Sequence, residues 1–138
     1  MMIKNVLEYL EENTVLHPDK TAVIDKAGSC SYKQLQECCR RAGSAMLQKG
    51  SPREPVAVIM EKGIHALCAF WGTVYAGGYY VLLNPELPVS RLRQIQTVLQ
   101  AKYVITDRQN RDIAREIFAS ESILHIEELT CEMCIRDR

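Results

Sequence analysis

The sequence predicts an α/β fold: a mostly parallel sheet with helices on both faces, preceded by a helix and a short antiparallel hairpin. Three observations carry this. PVAVIM at 55–60 and YYVLL at 79–83 are apolar without alternation, as strands covered on both faces are. Segments of helical periodicity separate these runs from one another and from KYVIT at 102–106. Alternating helix and strand requires crossover connections, and right-handed crossovers place the strands parallel.

In chain order, Ile3, Val6, Leu7 and Leu10 fall at helical spacing among acidic residues, which predicts an amphipathic helix over 3–13, ended by His17-Pro18-Asp19. Thr21–Ile24 and Cys30–Tyr32 flank the turn-rich tetrad Asp25-Lys26-Ala27-Gly28 and read as a hairpin. Ser31 and Gln34 form a capping box, each side chain serving the other's orphan backbone group. The helix they open carries Leu35, Cys38, Cys39, Ala42 and Met46 on one face, places Arg40, Arg41 and Lys49 towards its C-terminal end, and closes at Gly50. After the 55–60 strand, Ile64–Tyr75 is apolar almost all round and predicts a buried helix ended by Gly77. Residues 79–83 follow as a buried strand. Residues 88–101 put Val89, Leu92, Ile95 and Leu99 on one helical face, with Pro88 suited to the first turn. Beyond the 102–106 strand, Asp107 is placed to cap a helix bearing Ile113, Ala114, Ile117 and Phe118, and Ile123–Ile126 reads as a last strand.

Composition excludes several functions. Among 138 residues, 47% are hydrophobic and 25% charged, as in a soluble globular domain. Seventeen basic residues balance seventeen acidic ones, so no net field draws the chain to nucleic acid. The apolar stretch 64–75 is shorter than the roughly 20 residues that cross a bilayer, and no basic-then-apolar secretory pattern opens the chain. The chain therefore reads as cytoplasmic, without a membrane span. Neighbouring Cys38 and Cys39 lie in a helical pattern, so the six cysteines are expected as buried thiols rather than disulfides.

In open parallel sheets ligands bind beyond the carboxyl ends of the strands. After Met60, Glu61-Lys62-Gly63 has neither G-x-G-x-x-G nor Walker spacing, so several backbone amides are not brought onto a phosphate. Gly77-Gly78 leaves a helix and enters a strand, the reverse of the order that holds an anion. His17, His65 and His125 have no metal-ligand partner at a suitable spacing, no serine stands in G-x-S-x-G, and neither Cys38 nor Cys39 sits beside a basic partner at a strand end, where thiolates are stabilised. No catalytic, cofactor-binding or metal-binding residue is assigned. From the residues alone, a free-standing small α/β binding or signalling module stays open.

Two stretches resemble the first core motifs of amino-acid adenylation domains and the wider superfamily of acyl- and aminoacyl-adenylate-forming ligases. Pro18-Asp19-Lys20-Thr21-Ala22-Val23 leading into Ser31-Tyr32-Lys33-Gln34-Leu35 is similar to P-D-x-x-A-(V/L) followed by (S/T)-Y-x-x-L. Ala76–Pro85 and Pro88-x-x-Arg91-Leu92 are similar to A-G-x-A-Y-V-P-(L/I)-D-P and P-x-x-R-L. The order and spacing of the pieces agree over about residues 5–129. Leu82 replaces the usual Pro and Asn84 the usual Asp. Asn84-Pro85 is more like the acyl-CoA ligases, whereas Pro88-x-x-Arg91-Leu92 and Tyr80-Val81 resemble the amino-acid and D-alanyl carrier-protein ligases, towards which the balance leans.

The resemblance implies a parent enzyme that uses ATP and Mg2+ to activate a small carboxylic or amino acid and passes it to a carrier-protein phosphopantetheine or CoA thiol. It needs a Ser/Thr/Gly-rich phosphate loop and a late Lys, both expected beyond this chain. The tail points the same way. Codons for Met133 to Arg138, preceded by the last two bases of a GAG codon for Glu132, can contain AGATGTGTATAAGAGACAG, a string similar to a transposon end used in preparing DNA for sequencing. Residues 1–132 are accordingly read as the N-terminal part of a large adenylate-forming domain, and 133–138 as translated adapter. Cys131 and Cys134, spaced C-x-x-C, are not read as a redox or zinc motif.

Overall fold

The computed structural model describes residues 6–26, 28–49, 55–130 and 136–137. Helix α1 (Val6–Leu16) runs three residues past the predicted end at Asn13, and within it Asn13 Nδ2 and Thr14 Oγ1 donate back to the carbonyls of Tyr9 and Leu10. β1 (Thr21–Ile24) and β2 (Gly28–Ser31) form the predicted antiparallel hairpin, with a register shift between Thr21 and Val23. Both arms of the capping box are made: Ser31 N donates to Gln34 Oε1 at 2.9 Å and Gln34 N to Ser31 Oγ at 3.2 Å. They open α2 (Tyr32–Lys49), whose predicted apolar face is buried throughout. Gly50, Cys131 and Cys134, like Ile3, lie outside the described residues. The tail residues Arg136–Asp137 form β7, which pairs with β2.

β3 (Pro55–Ile59), α3 (Ile64–Tyr75), β4 (Tyr79–Leu82), α4 (Val89–Leu99), β5 (Tyr103–Thr106), α5 (Arg111–Ile117), β6 (Ile123–His125) and α6 (Ile126–Leu129) follow. β4, β3, β5 and β6 make one parallel sheet in that spatial order. Strand alternation divides the core in two. Val56 and Val58, with Ile105 and Leu124, pack towards α1, α2, α3 and α6. Ala57 and Ile59, with Val104 and Ile123, pack towards α4 and α5. Helices thus cover both faces, as the sequence predicts.

α3 meets α2 at backbone distance. A Cβ on Gly72 would stand 2.7 Å from Ala42 Cβ and 3.1 Å from Cys39 O, and one on Gly43 would stand 2.8 Å from Gly72 O. No residue of α3 is fully exposed. Its end is a Schellman motif: Gly78 N donates to Thr73 O, Gly77 N to Val74 O, and Gly77 takes φ 85°, a conformation favouring glycine. Gly77-Gly78 is therefore a helix cap, as read.

Three expectations are corrected. β4 is not buried: it is a sheet edge, where Tyr79 is 54% and Leu82 47% exposed. Ile126 begins α6 instead of ending a strand. Pro88 is the N-cap of α4, its carbonyl accepting from the amides of Arg91 and Leu92, so the first helical position falls to Val89.

Candidate functional site

The chain enters the parallel sheet at β3, crosses to β4 on one side, then returns past β3 to β5 on the other. The strand order reverses between β3 and β5, and a crevice at such a point is where open α/β sheets bind ligands. An open groove of about 560 Å³ lies there, lined among others by Asp25, Glu61, Lys62, Asp107, Arg108 and Glu127. Four carboxylates face three basic groups in this groove, counting Lys26. The balance favours neither an anion nor a cation.

Three of the four carboxylates accept from backbone amides of the chain itself. Asp25 Oδ1 accepts from Gly28 N at 2.9 Å, closing the hairpin turn, and Oδ2 accepts from Ile64 N at 2.9 Å. Ile64 N is the first orphan amide of α3, ahead of the second and third amides that an N-cap side chain serves, and Asp25 supplies its acceptor from the hairpin. Asp107 is the second correction at a strand end: α5 has Asn110 as its N-cap. Asp107 Oδ1 accepts from the backbone and side-chain nitrogens of Asn110, and Oδ2 accepts from Glu61 N at 3.0 Å, tying the end of β5 to the end of β3. Glu127 Oε2 accepts from Arg108 N at 3.1 Å. Carboxylates placed this way oppose a phosphate, because the one long-helix N-terminus at the switch point already holds a negative group. The residues present do not fit a nucleotide's phosphates.

The other positions singled out in the sequence do not converge here. Lys62 is exposed, as read. Asn84 Oδ1 accepts from Glu86 N at 3.0 Å, building the turn after β4. An Asp would accept the same bond, so Asn84 distinguishes no substrate class by this contact. His17 is exposed; His65 lines the groove, and His125 Nδ1 is buried without a hydrogen-bond partner. Cys30, Cys38, Cys39 and Cys68 are buried thiols that form no disulfide. The Cys68 thiol shares a hydrogen bond with Cys38 that favours its thiolate, but a hydrogen bond to Cys39 and burial outweigh this and hold its pKa well above the ordinary 9.0. That environment suits an inert core thiol. Among the described residues, no group of three or more His, Cys, Asp or Glu side chains is placed to hold a metal ion.

Asp25 is the site residue that the sequence reading left as a turn former. No local spacing marks it, because the amide that it serves at the start of α3 lies 39 positions away. Asp25→Ala is expected to lower stability by about 2 kcal/mol, since two amides lose a charged acceptor. Asp25→Asn, which keeps one carbonyl oxygen, should lose roughly half as much. Urea unfolding of the three proteins measures both differences.

Comparison with known proteins gives consistent relationships. Residues 10–136 match the family described as AMP-binding enzyme. Tyrocidine synthase 1 of Brevibacillus parabrevis is 28% identical over 126 residues, which are 91% of this chain and 12% of that protein. A benzoate CoA ligase from Burkholderia xenovorans LB400 superposes with a TM-score of 0.82 at 28% identity, over 92% of this chain and 28% of that one. The nonribosomal peptide synthetase FmoA3, in its alpha-methyl-L-serine-AMP bound form, superposes with a TM-score of 0.81 at 25% identity, over 91% of this chain and 14% of that one. The chain thus spans well under two thirds of each of these relatives.

Proposed function

Since the chain belongs to the AMP-binding enzyme family, we propose that it is the N-terminal part of an adenylate-forming ligase, carrying early scaffold and none of the reacting groups. In such a ligase a carboxylate attacks the α-phosphorus of ATP, giving an acyl- or aminoacyl-adenylate and pyrophosphate. A thiol then takes the acyl group and AMP leaves. Similarity to peptide synthetases and to a CoA ligase supports a small carboxylic or amino acid as substrate and carrier-protein phosphopantetheine or CoA as acceptor. Mg2+ would offset phosphate charge; no residue of this chain is assigned to it or to ATP. Thiols in no disulfide at Cys30, Cys38, Cys39 and Cys68 suit a cytoplasmic location, and no helix among the described residues is long and apolar enough to cross a membrane.

One observation carries the reading: Asp25 occupies the α3 N-terminus at the switch point, so phosphates have to be held by a loop elsewhere. A free-standing module of flavodoxin type shares the strand order, but it would need the amide that Asp25 takes. The reading also holds residues 133–138 to be translated adapter. An uninterrupted clone is therefore expected to diverge after about Glu132 and to continue for several hundred residues. Within the next few dozen it should supply a Ser/Thr/Gly-rich loop containing Lys. Farther on it should carry a Lys whose replacement by Ala abolishes adenylation and leaves folding intact. A clone reading Met133 to Arg138 and then a stop codon contradicts this.

A further inference from the structure

We draw no further inference here: the strongest candidate, the cluster of buried thiols that Cys30 of β2, Cys38 and Cys39 of α2 and Cys68 of α3 form in the core, carries nothing because it is the inert core packing already described, and among the described residues no three of these side chains are placed to hold a metal ion.

Discussion

Gly72→Val is expected to destabilise the chain by about 3 kcal/mol, the upper part of the range for overpacking a core, and to lower its melting temperature by roughly 10 °C. The first atom added already stands 2.7 Å from Ala42 Cβ and 3.1 Å from the Cys39 carbonyl, and a backbone oxygen cannot turn aside as a side chain can. The two extra methyl groups of Val would have to enter the seam where α2 and α3 lie closest, beside the buried Cys39 and Ala42. Relief requires the helices to separate, which loosens the packing of Cys38, Cys39 and Cys68 behind them. Gly72→Ala should cost less. Its single Cβ makes the same first contact, and the better helix propensity of Ala returns about 1 kcal/mol. Thermal unfolding of the three proteins measures the difference; equal stability of wild type and Gly72→Val would show that the two helices do not pack as described.

The elements legible in the sequence were those whose signal is local. Ser31 and Gln34 lie three residues apart and their reciprocal bonds depend on nothing distant. The uninterrupted apolar run of β3 reports its central place because both of its faces touch helices. YYVLL gave the same signal and was misread, since apolarity says that a strand has two packable faces but not that they are covered. The strand order, which leaves β4 at the edge, comes from crossovers and not from any one segment.

The same limit applies to the site. Asp107 looked like a helix cap because it precedes one, but its bond to Glu61 spans 46 positions and decides its role. Asp25 and Ile64 are 39 positions apart, beyond any spacing rule. Family departures also change meaning in three dimensions. The Leu82 N–H points away from β3, so Pro or Leu at that position leaves the ladder unchanged and bears on the edge more than on the acid activated.

Loss of catalysis is the largest effect expected, because it is complete. Adenylation draws its rate from groups aimed at charge that develops on the transferring phosphoryl oxygens. In this chain the groove at the switch point presents Asp25, Glu61, Asp107 and Glu127, three of which are already bonded to backbone amides. A negative pyrophosphate leaving group would meet these four carboxylates beside Lys26, Lys62 and Arg108, with the Ile64 amide already taken by Asp25. Binding of ATP at that groove would have to displace Asp25 from the α3 N-terminus and unfasten the hairpin turn closed by Gly28. The direct measurement is carboxylate-dependent ATP–pyrophosphate exchange by the purified 138-residue chain, assayed with Mg2+ against a panel of amino and fatty acids. No exchange above the protein-free control is predicted with any of them; measurable exchange that depends on an added acid would contradict the account and place reacting groups inside this chain.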